Sequence, residues 1–208
     1  MLKKLTEEQI EKILTSAITE FGEQGYGRAK ISSIAQAAGI SAGVIYKYYE
    51  DKAALFGACL EHCLDYLDRV YSEVDRNAGD MEDSMEQLVE LAIIASREHP
   101  EYFRLYHQIT LTQDPEEAEI LASRIEGSSS KIYTEALEEA RRSGVVKEDL
   151  DPGYFALFFD DVLMMISFSL CSGYYRERMR LYLGHEPSDA ELKEQVLRFI
   201  KGAFGMAR

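Results

Sequence analysis

The chain has 208 residues, 46% of them hydrophobic, and a formal net charge of −14 at pH 7. That length buries a sizeable core in one domain or two modest ones. Three cysteines, Cys59, Cys63 and Cys171, with no Cys-x-x-Cys pair, argue against a disulfide framework and fit a reducing cytoplasm. The charge is uneven: residues 1–56 hold seven basic and seven acidic side chains, so everything after them carries the whole acidic surplus. A neutral head on an acidic body still binds phosphate, provided its lysines share a face.

Helical periodicity dominates and no alternating strand is found, so the class is all-α, with about nine helices. The N-terminus, MLKKLTEEQIEKIL, lacks the long apolar run of a signal peptide. Thr6 and Gln9 form a capping-box signature opening a first helix, with Ile10, Ile13, Leu14, Ala17, Ile18 and Phe21 on one stripe. Gly22, Gly25 and Gly27 are expected to end it in a loop. Two short helices follow, at about 31–38 and after Ser41. The fourth starts near Asp51 with a seam of Leu60, Leu64, Leu67, Tyr71 and Val74, and stops at the breaker Asn77-Ala-Gly79.

Further helices are expected over about 81–97 and 101–112, each ending before a proline, and over 116–142. The last is kinked by Gly127-Ser-Ser-Ser130 and closed by Gly144. Pro152 opens an apolar helix running to about Tyr182. Asp160 and Asp161 near its centre make it a buried helix rather than a membrane span. A final helix from Pro187 or Ser188 has Leu192, Val196, Phe199, Ile200, Ala203 and Phe204 on its apolar face.

The informative segment is Ile31–Leu55, ISSIAQAAGISAGVIYKYYEDKAAL. Ile31, Ile34 and Ala35 share a face of the first short helix, and Ala35 is small enough for close helix approach. Gly39 supplies the left-handed turn residue, Ile40 plugs the turn and Ser41 is a suitable N-cap. In the next helix Ile45 and Tyr49 point to the core. That leaves Gly43, Val44, Tyr46, Lys47 and Tyr48 outward, on a rod that fits the major groove of duplex DNA. Gly43 permits close approach, Val44 suits a thymine methyl, Tyr46 and Tyr48 offer hydroxyls, and Lys47 reaches a phosphate or a guanine edge. Lys52 brings a cation to the first turn of the fourth helix. The competing reading is an ordinary compact three-helix bundle.

The run IAQAAGISAGVIYKYYEDKAAL closely resembles the N-terminal domain of TetR/AcrR-family transcriptional regulators, whose pattern is roughly IA-x2-AGVS-x-G-x-[LI]-Y-x2-F-x2-K-x2-L. The resemblance covers about the first 56 residues, with Ala17, Phe21 and Gly25-Tyr26 matching the opening segment. It implies a DNA-binding domain over 1–56, a ligand-binding and dimerisation domain over 57–208, and an Ω-shaped homodimer on a palindromic operator. It places DNA contacts at Ala42, Gly43, Val44, Tyr46, Lys47, Tyr48 and Lys52; Lys30 and Ser32, at the start of the second helix, complete the candidate set. Lys30 stands where the family usually has a capping threonine, Tyr48 where it often has histidine, and Tyr49 where it usually has phenylalanine.

The body is rich in aromatic and sulfur-containing side chains. Phe103, Tyr106, His107, Tyr133, Phe159, Asp160 and Met164 are candidate effector contacts, against the bland reading that most are core. The helix from Pro152 and the last helix are the expected dimer interface, with Asp160 and Asp161 paired to an arginine such as Arg176 or Arg178 across or near it. Cys59, His62 and Cys63 share a helical face that suits a soft metal or redox sensing, although buried apolar cysteines are commoner. No nucleophile elbow, P-loop or HExxH is present, so neither an enzyme nor a cofactor is expected.

The expected function is a cytoplasmic, ligand-responsive repressor with a double-stranded DNA operator and a small-molecule effector as partners, and no membrane. The fourth helix, joining head and body, is the expected lever. The alternatives are an effector-independent architectural or cell-division DNA-binding factor of the same fold, and a purely protein-binding helical dimer.

Overall fold

The computed structural model describes residues 5–72, 74, 81–142, 144 and 151–203, and among them forms ten helices and no strand. The breaker at Asn77-Ala-Gly79, the Tyr71 side chain and Phe204 lie outside the described residues. The chain divides into two compact units, Met1–Asp68 with His99–Leu111, and Arg69–Glu98 with Thr112–Arg208.

The first unit begins with α1 (Glu7–Arg28). The Gln9 N–H donates to Thr6 Oγ1 at 3.3 Å and the Thr6 N–H donates to Gln9 Oε1 at 3.0 Å, so the capping box is closed. Glu7 and Glu8 sit at the positive end of the helix dipole. Thr6→Ala removes one of these bonds and is expected to cost about 1 kcal/mol, read as a lowered denaturation midpoint of the whole chain. The helix does not end at Gly22. It continues to Gly25, which takes φ 72°, and closes a last turn at Arg28. Gly22 stays helical for a packing reason: a methyl there would sit 3.3 Å from Arg104 Cβ, Leu105 N and Glu101 O of α6 (Pro100–Ile109).

α2 (Ile31–Ala37) and α3 (Ala42–Tyr48) follow, and α4 (Lys52–Ser72) is capped by Asp51, whose Oδ1 accepts the Ala54 N–H at 2.7 Å. Ile13, Ala17, Ile18, Phe21, Ile34, Ile45, Leu55 and Cys59 make the unit's core, and α6 adds Tyr102 and Leu105. A polar seam joins three of its helices. His62 Nε2 lies 3.0 Å from the Tyr102 hydroxyl and 3.3 Å from Glu11 Oε1, while the His99 ring stacks on Tyr102 at 4.5 Å. Burial, and then the neighbouring Cys63, push the Tyr102 hydroxyl's ionisation upward, so it stays neutral as a hydrogen-bonding group. Tyr102→Phe is expected to lower stability by about 1 kcal/mol, because a half-buried imidazole nitrogen loses one of its two partners; urea denaturation checks it.

The second unit holds α5 (Met81–Glu98), α7 (Pro115–Arg142), α8 (Pro152–Cys171), α9 (Gly173–Leu183) and α10 (Asp189–Ala203). Val89, Leu137, Phe155, Phe159 and Ile200 are its most deeply buried large side chains. α7 runs through Gly127–Ser130 as one helix, without the expected kink, and Gly144 takes φ 75° beyond its end. Asp151 caps α8 through bonds from the Gly153 and Tyr154 N–H groups, ahead of Pro152 in the first turn.

The apolar helix expected to reach Tyr182 is in fact two. Ser172 adopts an extended conformation, φ −104° and ψ 131°, which ends α8 and starts α9. Serine competes for backbone hydrogen bonds outside helices and Gly173 has low helix propensity, so the break falls where both occur. On α10, Leu197 and Ile200 turn inward, whereas Phe199, assigned to the apolar face, is 64% exposed. α8 is long and apolar enough to cross a membrane, yet half of its most apolar window is buried inside the unit.

Candidate nucleic-acid interface

The α2–turn–α3 segment is set by local chemistry. α2 closes at Ala38, and Gly39 takes φ 71°, where a side chain would be strained. The Ile40 N–H then returns to the Ala35 carbonyl at 2.9 Å. Ser41 occupies the N-cap of α3 with extended backbone, and its carbonyl accepts the Val44 N–H at 2.9 Å. Its hydroxyl makes no capping bond, so Ser41 caps by position and not by side chain. Ile45 is buried and anchors α3 in the core; Tyr49 is half-buried, and burial pushes its hydroxyl's ionisation up.

Around that anchor the outer face of α3 is open. Gly43 has only Ser41 Oγ within 4 Å of an added methyl, Tyr46 is 52% exposed and Lys47 is exposed. Ala42 and Val44 are half-buried at the edge of this face. Lys30 and Ser32 are exposed at the start of α2. The Lys30 N–H donates to Glu20 Oε1 at 2.9 Å, which satisfies the backbone where a threonine cap is missing.

Two candidates are more constrained than their sequence suggests. The Tyr48 hydroxyl oxygen accepts the Leu5 N–H at 2.6 Å, and the Lys47 ammonium stands 5.8 Å from the Tyr48 ring centre. Tyr48 is thus tied to the N-terminal segment, with its hydroxyl proton left to donate. The Lys52 ammonium lies 4.8 Å over the Tyr26 ring and 3.4 Å from the Gly27 carbonyl. Tyr26 also packs edge-on to Phe56 at 5.0 Å, so the cation rests on an aromatic platform at the end of α1. Two residues outside the candidate set stand beside it: Tyr26, 44% exposed, and Arg28, exposed with its Nε on the Gln24 carbonyl. Both lie in a glycine-rich stretch that reads as a linker.

Comparison with known proteins matches this geometry. The family model described as "Bacterial regulatory proteins, tetR family" matches residues 13–59, which span the core of α1, the helix-turn-helix and the start of α4. The biofilm operon icaADBC HTH-type negative transcriptional regulator IcaR of Staphylococcus epidermidis is 27% identical over 188 residues, 89% of this chain and 94% of its own. IcaR of Staphylococcus aureus strain Newman is 25% identical over 161 residues, 76% of this chain and 84% of its own. A tetR-family regulatory protein from Rhodococcus RHA1 superposes with a TM-score of 0.77 at 19% identity, covering 98% of this chain and 100% of that one. FadR of Bacillus subtilis, solved in complex with stearoyl-CoA, superposes with a TM-score of 0.68 at 17% identity, covering 92% and 97%.

Residues 13–59 are similar to the TetR family, and the whole chain shares the fold of solved TetR-family structures. The relatives it matches are transcriptional regulators, the IcaR proteins negative ones. The family model matches the segment that carries the helix-turn-helix.

The candidate effector residues fall into two groups. Phe103, Tyr106 and His107 lie on α6 in the first unit, where Phe103 is buried. Tyr133, Phe159, Asp160 and Met164 lie on α7 and α8 in the second. Tyr133 meets Phe159 edge-on at 5.1 Å, and Phe155 stacks on Phe159 at 5.8 Å.

Within the chain the partner of Asp160 is a carboxyl group and not an arginine. Asp160 shares a hydrogen bond with the Glu126 carboxyl of α7. Burial first, and then the nearby charges of Glu126 and Asp161, push its carboxyl up to about 7. One proton shared between two carboxyl groups does the neutralising work assigned to a cation. Arg178 instead stands 5.2 Å over the Tyr182 ring.

Cys59 and Cys63 are buried, and burial pushes the Cys59 thiol up to about 12 and the Cys63 thiol higher. Such thiols are the opposite of a reactive thiolate. No group of three metal-binding side chains occurs among the described residues.

Proposed function

We propose that the chain is a ligand-responsive repressor that binds a palindromic operator as a homodimer, placing one α3 in each of two successive major grooves. The observation that carries the reading is the outer face of α3: Gly43, Tyr46 and Lys47 stand open around a buried Ile45. Val44 and Ala42 supply apolar contacts at its edge. Lys30, Ser32, Tyr48 and Lys52 meet phosphates on either side, which fixes the register of the head. The acidic body works against the phosphates, so affinity depends on two heads acting together.

The dimer forms through α8 and α10. α8 is apolar on both sides. Phe155, Phe159, Leu163 and Ile166 face the unit's own core, and Tyr154, Leu157, Phe158 and Met165 are exposed on the other face. A helix apolar all round is a buried helix, and α10 adds the exposed Phe199.

The effector enters the body among Tyr133, Phe159, Asp160 and Met164, or on α6 at Phe103, Tyr106 and His107. FadR of Bacillus subtilis, of the same fold, holds stearoyl-CoA, and the aromatic lining here suits a largely apolar molecule. The effector weakens DNA binding by the factor by which DNA weakens effector binding. Its site of action is the cytoplasm, where the operator is. The effector-independent alternative draws support from Tyr133, Phe155 and Phe159, which are consumed in packing.

Selection of bound fragments from a random duplex pool tests the reading. Enrichment of a palindrome, bound in a salt-sensitive way, is expected. Enrichment of nothing overturns it. A ligand that raises the chain's melting temperature and releases the selected duplex separates the effector-responsive form from the alternative.

A further inference from the structure

α9 has no buried residue, yet it is not a solvated helix. Tyr174, Leu181 and Tyr182 are 74%, 86% and 79% exposed. With Arg178 they fall at i, i+4, i+7 and i+8, one continuous stripe of an α-helix. The opposite side is the attached one, where Met179 packs against the second unit's core. The outward stripe of α8 is built the same way, from Tyr154, Leu157, Phe158, Asp161 and Met165. Each apolar stripe contains one charge, Arg178 on α9 and Asp161 on α8. Both line one apolar groove of about 300 Å³, with Val162, Met165, Leu192 and Phe199.

We propose that α9 is a docking element for a second copy of this chain, in which Arg178 of one copy pairs with Asp161 of the other. The proposal rests on the homodimer reading above and names the contacts that hold it. Charge complementarity selects the occupant. α9 carries Arg176, Arg178 and Arg180 against Glu177 alone, in a chain whose net charge is −14. Arg180 is already committed to Glu177 and Glu186. Among the described residues, Arg178 and Asp161 make no ion pair within the chain. Arg178 is held over Tyr182, which orients the guanidinium without cancelling its charge. A two-fold dimer presents the same patch twice, so one complementary pair on each chain becomes two reciprocal pairs across the axis. The apolar side chains of both stripes then exclude water around them.

The experiment measures self-association of the full chain by sedimentation, for the wild type, Asp161→Arg, Arg178→Asp and an equimolar mixture of the two variants. Each variant alone places like charges across the axis and is expected to raise the dimer dissociation constant at least about tenfold. The mixture is expected to dimerise as the wild type does, because each of its cross-pairs is again arginine with aspartate. An intrachain pair would not be restored by mixing, so dimers absent from the mixture overturn the proposal. Single variants that dimerise normally overturn it too. A wild-type monomer at micromolar concentration overturns the homodimer reading itself. Leu181→Glu, at an 86% exposed position that spares the core, provides a second check. It is expected to weaken the dimer with the melting temperature of the monomer unchanged, and unaltered association counts against α9.

Discussion

Replacing both Tyr46 and Lys47 by alanine is expected to weaken specific duplex binding by at least about a hundredfold without lowering thermal stability. The size follows from losing two outward contacts, each worth about 1–3 kcal/mol at a base edge or a phosphate. Stability is spared because neither side chain belongs to the core that Ile45 anchors. The single variants should differ in kind. Lys47→Ala lowers affinity for every sequence and reduces the slope of log affinity against log salt by about one per head, if its partner is a phosphate. Tyr46→Ala leaves that slope nearly unchanged. Fluorescence anisotropy on one selected duplex across a salt series separates the two, and an unchanged affinity in the double variant would refute the assignment of α3 as the reading helix.

Asp160→Asn is expected to stabilise the chain at pH 8 by on the order of 2–4 kcal/mol and by roughly a third of that at pH 5. The carboxyl moves from an ordinary value of 3.8 to about 7 on folding, mainly because burial penalises its charge and Glu126 and Asp161 repel it. Each unit of such a shift corresponds to about 1.4 kcal/mol, so three units set the upper end of the range. The folded chain binds this proton more tightly than the unfolded one. The stabilisation it gives is therefore complete below about pH 4 and fades as pH rises through 7. Asparagine keeps the hydrogen bond to Glu126 and has nothing to ionise. Urea denaturation of both proteins at the two pH values checks the sign. A difference that does not grow with pH would place the Asp160 charge elsewhere.

What the sequence disclosed, and what it withheld, follows from the range of the interactions. The helix-turn-helix was legible because its determinants are neighbours: Gly39 for the turn, Ser41 at the cap, Ile34, Ala35 and Ile45 for the core. The closed capping box at Thr6 was legible for the same reason. The packing of α6 against α1 was not, since Gly22 and Leu105 are far apart in sequence and a glycine suggests a helix end as readily as a close approach. The intrachain partner of Asp160 was hidden likewise. Arginines follow soon after it, whereas Glu126 lies on another helix. The anchoring of Tyr48 to the Leu5 amide and of Lys52 to Tyr26 is also tertiary, and it leaves Tyr46 and Lys47 as the freer members of the candidate interface. The break at Ser172 was hidden inside an apolar run whose periodicity continues across it.

The three buried thiols have a practical consequence. Cys59 and Cys63 sit inside the first unit and Cys171 inside the second, each at most 6% exposed. None can meet an alkylating reagent until the helices around it part. The rate at which a maleimide consumes each sulfur is therefore a clock for opening of that half of the molecule alone. Timed against added duplex or a trial metabolite, the two clocks report which half each one rigidifies, with no residue replaced.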